Sequence, residues 1–417
     1  MTDARPGGRQ GLSLAVASGL GALSNFVIMF AMTRTLHDPE HQSEALAFWS
    51  VLTGLFGVLV GVQNESTRAT AAVRHGREAR SRLVRPVVLV AVLTAVTVAV
   101  ASAVGLATLK DGWVLPSHPV GATALLVVTA LAYAVYALML GAMAGLGRWS
   151  TLAGALTAEV VVRVFAVVLV AVTVRSLLGY EAAMTSAVLV VLVILLLVPG
   201  TRRLISVSSD RDTRVSLGQV GLAMLSASAT AVMITGYPAL MKVALRGEPG
   251  LAAWMLAVSI TRAPVMMPII TFQQVAVARF VAHRDSPLRA LVAPVLLIAG
   301  VGLVASLGAG LLGPWLLRLF NPAFDINGWT LALLTLASTA MAMLVLAGTS
   351  ALAMDGHRIY ALGWAVASVV SVVLLFGLDG APLPRLLTSL VAGPVAGAVV
   401  LVVWLLVQSR RSRLSTE

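Results

Sequence analysis

Long apolar segments recur along almost the whole chain, and they constrain its fold more than any other feature. Each segment runs for about 20 residues, which as an α-helix is long enough to cross roughly 30 Å of hydrocarbon. The short alternating segments of membrane β-barrels are absent from this pattern. The sequence therefore predicts an all-α, polytopic membrane protein. Twelve spans are predicted, at residues 11–33, 45–73, 86–108, 120–145, 150–173, 182–199, 217–241, 250–279, 288–312, 328–352, 359–377 and 386–407.

The composition excludes several classes of function. Hydrophobic residues make up 59% of the chain and charged residues 11%, whereas about a quarter of the residues in soluble domains are charged. There is no cysteine, so disulfides, thiolate metal sites and cysteine nucleophiles are excluded. The six histidines are scattered, and no glycine-rich loop carries a lysine for nucleotide phosphates. We predict no enzymatic activity, no metal and no cofactor.

The net charge of +12 follows the topology that the spans define. With the N-terminus placed in the cytoplasm, 19 of the 29 basic residues fall in cytoplasmic segments, 7 fall outside and 3 lie within spans. This asymmetry is the positive-inside pattern of membrane proteins. It predicts that both termini are cytoplasmic, and it accounts for the basic character without a nucleic-acid partner.

Weak internal matches indicate that the chain is built from two halves. Trp49 and Trp254 begin similar stretches 205 positions apart, and Arg148 and Arg358 follow a similar spacing of 210. Parallel repeats of this kind form two bundles around a central cavity in many transporters. The predicted domains are a six-helix bundle at 1–200, a basic cytoplasmic linker at 201–216, and a second six-helix bundle with a short basic tail at 217–417.

Two glutamate–arginine pairs lie inside predicted spans, where charge is costly. Glu65 and Arg68 are three residues apart, and Glu159 and Arg163 are four residues apart, so each pair shares one helix face. The first pair either snorkels toward the interface or lines a water-filled cavity. The second pair either locks its helix to a neighbour or lines the same cavity. The two glutamates are candidate counter-ions or coupling groups.

Arg262 lies near the middle of the eighth predicted span, with no acidic residue within one turn. Pro264 and Pro268 follow it and each removes a backbone hydrogen bond, as in the broken helices that build transporter sites. Arg262 is therefore a candidate substrate-binding residue. The alternative is a salt bridge from Arg262 to Glu65 or Glu159 within the folded bundle.

Smaller polar features complete the candidate site. Asn25 in the first span and Gln273 in the eighth either line the cavity or form hydrogen bonds between helices. The pairs Gly19 with Gly21 and Gly141 with Gly145 predict close helix packing.

Several stretches resemble the polysaccharide, or O-antigen-type, flippases of the multidrug/oligosaccharidyl-lipid/polysaccharide exporter superfamily. They are GLGALSNFVIMFAMTRTL at 19–36, GVQNESTRATAAV at 61–73, GAMAGLGRWSTLAGALTAEVVVRV at 141–164, and LLRLFNPAFDINGWTLALLTL at 316–336. The resemblance implies an alternating-access transporter in the bacterial cytoplasmic membrane. Such a transporter moves an undecaprenyl-diphosphate-linked glycan between leaflets, for cell-surface polysaccharide biosynthesis. Glycosyltransferases and a polysaccharide polymerase are the implied protein partners.

Arginine chemistry agrees with a diphosphate substrate, because guanidinium groups bind phosphate oxygens bidentately and stay charged when desolvated. Arg262, Arg68 and Arg163 are the arginines within the predicted spans. Ser24 and Asn25 occupy the middle of the first span, where the lipid II branch carries charged residues, which counts against lipid II. Two alternatives stay open: a cation-coupled drug exporter that relies on Glu65 or Glu159, and a non-transporting scaffold for glycan-assembly enzymes.

Overall fold

The chain folds almost entirely as α-helices, as predicted. A computed structural model describes residues 8–109, 114–262, 265–266, 287–354 and 356–414. Within these ranges, ten helices are long and apolar enough to cross a membrane. The all-α, multi-pass membrane fold predicted from the apolar segments is confirmed.

The chain divides into two compact units, residues 1–239 and 240–417. The division falls inside a short helix, Tyr237–Ala244, and so lies beyond the linker predicted at 201–216. The helix after that linker, Thr213–Ile234, packs against two helices of the first unit.

The described residues of the first unit hold nine α-helices and one small sheet up to the division. The elements are α1 (Gly8–Thr35), α2 (Pro39–Arg74), β1 (Ser81–Arg82), α3 (Val84–Leu109), α4 (Pro119–Gly145), α5 (Trp149–Val172), α6 (Leu177–Leu197), α7 (Pro199–Arg202), β2 (Ser208–Ser209), α8 (Thr213–Ile234) and the start of α9 (Tyr237–Ala244).

Helices α2 and α4 form the centre of the first unit, and glycines let them approach closely. A Cβ added at Gly141 would lie 2.7 Å from Ser66 Cβ, and one at Gly145 would lie 2.6 Å from Thr67 O. Both distances are shorter than real Cβ contacts. The predicted close packing is therefore present at Gly141 and Gly145. A Cβ at Gly19 would meet no atom within 4 Å, and one at Gly21 would make only an ordinary 3.9 Å contact.

The seventh predicted span, 217–241, is two helices. Helix α8 ends at Ile234, and α9 begins at Tyr237. Ser50 of α2 serves both sides of this break: its Oγ donates to Thr235 O at 2.5 Å and accepts from Ala239 N at 3.1 Å. A helix break leaves backbone N–H and C=O groups without partners, and in a membrane these groups need hydrogen bonds. Ser50 supplies such bonds and so stabilises the break.

The second unit is described by itself. Its helices are the end of α9, then α10 (Leu251–Arg262), α11 (Pro287–Phe320), α12 (Gly328–Ala353), α13 (His357–Gly377) and α14 (Pro382–Leu414). Helix α12 is its most buried long helix, and α13 packs along α14. Arg385 donates to the carbonyls of Ala244 and Leu375, both at 2.9 Å, near the C-terminal ends of α9 and α13. A cation is favourable at helix C-termini.

Candidate functional site

The first polar cluster surrounds Arg163, in the middle of α5. Arg163 forms an ion pair with Glu159 one turn earlier, as the four-residue spacing indicates. Tyr136 of α4 donates to the other carboxylate oxygen of Glu159 at 3.1 Å. Arg163 Nε also donates to Met184 O of α6 at 3.4 Å. Three helices are thus joined through one charged pair.

Aromatic rings enclose the same guanidinium. Its central carbon lies 5.6 Å from the ring centroid of Trp49 and 5.7 Å from that of Phe56, both on α2. These distances are typical of cation–π interactions. Phe56 in turn stacks on Tyr133, with ring centroids 4.1 Å apart. The side chain of Arg163 is only 8% exposed, so its charge is satisfied inside the first unit.

The second polar cluster lies near the C-terminal end of α2. Arg68 donates to both carboxylate oxygens of Glu65, at 2.8 and 2.7 Å. It also donates to both oxygens of Asp210, at 3.4 and 3.0 Å, and Arg77 donates to Asp210 at 3.1 Å. Two arginines therefore neutralise two carboxylates. Arg68 stays 34% exposed, in contrast to Arg163.

The predicted linker forms part of this second cluster. Strand β2 pairs antiparallel with β1, with Ser81 opposite Ser209, so the linker is hydrogen-bonded to the segment between α2 and α3. Asp210 follows β2 directly, and its side chain is 4% exposed. The hydrogen bond from Arg68, supported by Arg77, lowers the pKa of Asp210 below its ordinary value. The sequence analysis did not identify Asp210, because 142 positions separate it from Arg68.

Arg262 lies on α10, at the end of its described part, in the second unit, and is 7% exposed. Pro264, Pro268 and Gln273 lie outside the described residues. Glu65 and Glu159, the predicted alternative partners of Arg262, each form an ion pair with an arginine on their own helix.

Asn25 lies on α1 and is exposed. The neighbouring Ser24 is buried and donates to Gly21 O at 2.7 Å, within its own helix. Within the first unit, the predicted residues therefore fall into two separate charged clusters and one exposed amide. Their roles in binding or coupling stay predictions.

Two further buried acids were missing from the sequence analysis. Glu44 of α2 accepts from the backbone N and the Oγ of Ser117, at 3.0 and 2.5 Å. Glu181 of α6 is fully buried.

The sixth span was predicted to begin at 182, whereas α6 begins at Leu177. Ser176 caps the helix by accepting a hydrogen bond from the amide of Gly179. Serine before an apolar run is a helix-start signal that could have placed Glu181 inside the span.

A metal site has no support among the described residues, where no three histidine, aspartate or glutamate side chains group as ligands. No model of a known protein family matches the sequence.

Full-length relatives occur in mycobacteria. The chain is 32% identical over 393 residues to the uncharacterized protein Rv1510 of Mycobacterium tuberculosis, which covers 93% of this chain and 89% of that protein. It is also 31% identical over 398 residues to the uncharacterized protein Rv3630 of the same organism. That match covers 92% of this chain and 89% of Rv3630.

Solved structures with the same fold are transporters. One is a multidrug resistance MATE family transporter of the MOP superfamily in an inward-facing conformation, with a TM-score of 0.68, 14% identity, and 95% and 96% of the two chains covered. Another is a MOP superfamily transporter from Pyrococcus furiosus, described by a binding pocket of reverse polarity that suggests a different function. Its TM-score is 0.66 and its sequence identity is 13%, and the match covers 96% of this chain and 95% of that transporter. The chain thus belongs to one family with these mycobacterial proteins, and its fold is that of the MATE transporters of the MOP superfamily.

Proposed function

We propose that this protein is an alternating-access flippase for a lipid-linked glycan. The observation that carries the proposal is the fold, which matches MATE transporters in both inward-facing and outward-facing conformations, with TM-scores of 0.68 and 0.65. A fold found in both states is suited to moving a head group across a membrane while its binding site opens to one side at a time.

The charge of the buried residues supports an anionic substrate. Arg262 is 7% exposed on an apolar helix, and Arg68 lies within a membrane-length helix. Guanidinium groups suit a diphosphate, since their fork of donors matches phosphate oxygens. The transporter from Pyrococcus furiosus supports the idea that this fold accepts pockets of differing polarity. The proposed substrate is an undecaprenyl-diphosphate-linked glycan.

The proposed roles differ between the three arginines. Arg262 and Arg68 engage the diphosphate, and Glu65 acts as the counter-ion that Arg68 exchanges for substrate. Arg68 suits this exchange because it is 34% exposed. Arg163 is less suited to direct binding, because Glu159 and two aromatic rings already surround it. Asn25 and Gln273 complete the proposed set.

The proposal extends to location and partners. The asymmetry of basic residues supports a bacterial cytoplasmic membrane with both termini in the cytoplasm. Glycosyltransferases and a polymerase that build the glycan are the proposed partners, since a flippase acts between assembly inside and polymerisation outside.

A translocation assay in proteoliposomes tests the proposal. We expect Arg262→Ala to reduce the translocation of a fluorescent polyprenyl-diphosphate glycan by about 10- to 100-fold, since a hydrogen bond to a charged group contributes roughly 1.5–3 kcal/mol. Arg358→Ala, which removes an exposed arginine of the same unit, is the matched control. Arg262→Lys keeps the charge and should lose less. Full activity of a well-folded Arg262→Ala protein would overturn the proposed role.

A cation-coupled multidrug exporter is the second candidate, favoured by the multidrug resistance transporters among the solved structures of this fold. Under this alternative, Glu65→Gln should abolish the efflux of a lipophilic cation, while Arg262→Ala should leave it intact. The flippase proposal predicts no efflux of that cation by the wild-type protein, and a loss of glycan translocation in Arg262→Ala.

A further inference from the structure

Glu181 is a buried acid without a visible partner. It lies on the second turn of α6, with 0% of its surface exposed. Neither of its carboxylate oxygens has a hydrogen-bond partner among the described residues. Almost all buried polar groups in folded proteins are hydrogen-bonded, so this side chain requires an explanation.

An ionised carboxylate in such a place would be very unfavourable. The effective cost of burying one unpaired ion is several kcal/mol, even after the protein relaxes. A cation within reach would offset this cost, but Arg163, the described arginine of α5, is paired with Glu159.

The long helices α2, α4 and α5 pack on α6, and each carries ionisable groups. From α5, Arg163 and Glu159 are paired with each other, and from α4, Tyr136 donates to Glu159. From α2 comes Glu44, whose charge repels that of Glu181. Three other ionisable groups belong to these helices or to the turn before α6. Tyr133 of α4 packs on Phe56 and Tyr136, Tyr180 of α6 donates to Ala31 O of α1, and Arg175 before α6 is exposed.

Glu44 differs from Glu181 in two respects. It accepts two hydrogen bonds from Ser117, whereas Glu181 accepts none among the described residues. Ser117 is itself exposed, so Glu44 connects the buried interior with the surface of the first unit. The repulsion from Glu44 makes a negative charge on Glu181 still less favourable, because like charges in a low-dielectric interior repel.

We propose that Glu181 is a proton-binding site, occupied in this conformation, which exchanges its proton with the aqueous surface at Ser117 by way of Glu44. In the binding step, a hydronium ion transfers its proton to the carboxylate of Glu181, which leaves a neutral carboxylic acid and one water molecule. Release is the reverse and produces a buried anion. The anion becomes stable only when α6 and α2 admit water or a cation.

This property gives the first unit a proton-dependent conformational preference. Closed packing of α6 on α2 favours the protonated acid, and opening favours its release, because a ligand stabilises the state that binds it better. The use of this proton to drive transport rests on the proposed function. The protonation of Glu181 does not, since it follows from burial alone.

Infrared spectroscopy of the detergent-solubilised protein tests the site without any transport assay. At about pH 7, where an ordinary glutamate is ionised, we expect a carboxylic C=O stretching band in the wild-type spectrum. This band should be absent in Glu181→Gln and retained in Glu40→Gln, which neutralises an exposed glutamate at the start of α2. A wild-type spectrum without a band attributable to Glu181 would overturn the proposal.

Thermal unfolding provides a second, independent readout. Glutamine has nearly the shape of a protonated glutamate, so Glu181→Gln should unfold at the wild-type temperature or above it at about pH 7. An ionised Glu181 held by a bound cation would give the opposite result, with clear destabilisation of Glu181→Gln and a wild-type unfolding temperature that rises with added Na⁺. A transport assay that fails while the infrared band is present would count against the proposed function only.

Discussion

Buried carboxylates have different partners at the two ends of α2. Near its C-terminal end, Glu65 lies against Arg68, which also binds Asp210. Near its N-terminal end, about 30 Å away along the helix, Glu44 has only the amide and hydroxyl of Ser117, and α6 brings Glu181 to its vicinity. One end has two cations for two acids, and the described part of the other has two acids without a bound cation.

This difference separates carboxylates that an arginine neutralises from carboxylates that have no cation. A carboxylate held bidentately by arginine is neutralised within the protein. A carboxylate without a cation depends on solution to supply a proton. The sequence signal for both is the same, an acidic residue near an apolar segment, so only the partners distinguish them.

The most disruptive substitution is Arg163→Ala, which leaves the buried Glu159 without a cation and with only the hydrogen bond from Tyr136. Removing one partner of a buried ion pair costs about 3–5 kcal/mol, since an uncompensated charge is left behind. We expect a large fall in the thermal unfolding temperature in detergent. The double variant Glu159→Gln with Arg163→Gln should recover most of it, and Arg214→Ala, an exposed arginine, should have no effect. Equal effects of Arg163→Ala and Arg214→Ala would mean that the pair is not structural.

Asp210→Asn tests the cation-rich end. Loss of the charged hydrogen bonds to Arg68 and Arg77 should cost about 2 kcal/mol at neutral pH. Because the folded state lowers the pKa of Asp210, its contribution is fully present above the ordinary value of about 3.9, and is lost as the pH falls through the lowered value. The stability difference between wild type and Asp210→Asn should therefore be constant from about pH 8 to about pH 5 and shrink below about pH 4.

That pH dependence has a matched control in Asp212→Asn, which removes an exposed carboxylate two residues away. Unfolding of the three proteins across the pH series measures the effect. A stability difference for Asp210→Asn that grows as the pH falls would contradict the ion-pair assignment.

Ser117→Ala sharpens the comparison at the opposite end. The substitution removes one donor to Glu44 and keeps the backbone donor, so a loss of about 1.5 kcal/mol is expected. Differential scanning fluorimetry can resolve this change against Ser226→Ala, which removes an exposed hydrogen bond within α8. No difference between the two variants would show that Glu44 does not depend on the hydroxyl of Ser117.

Tyr136→Phe should have the smallest effect, about 1 kcal/mol, because Glu159 loses one hydrogen bond but keeps Arg163. Combining it with Arg163→Ala tests the coupling. The two effects should not add, since both variants act on one carboxylate. Strict additivity in this double-mutant cycle would mean that the two side chains act on Glu159 independently.

The membrane fold was predictable because apolar length alone selects helices in a bilayer. Boundaries were less predictable where the sequence signal changed gradually. The break at Gly236 is marked in the sequence only by Gly236 and Pro238 within a long predicted span, and Ser50 of α2, which stabilises the break, is 185 positions away from Thr235. The start of α6 was indicated in the sequence only by the capping serine, Ser176.

The charged pairs at spacings of three and four residues were predictable for a similar reason, because both partners lie on one helix. Partners from distant parts of the chain were not. Asp210 reaches Arg68 only because β2 pairs with β1, and Trp49 and Phe56 reach Arg163 through the packing of the first unit. Local spacing identifies charges inside the membrane, whereas tertiary contacts decide what neutralises them.

The most direct test of the central claim, that buried cations receive an anionic head group, is equilibrium binding to the purified wild-type protein. A fluorescent polyprenyl diphosphate and a lipophilic cationic dye would be titrated in parallel. We predict saturable binding of the diphosphate lipid, at least about tenfold weaker in Arg262→Ala, with no saturable binding of the dye. Saturable binding of the dye, with none of the diphosphate lipid, would contradict the account.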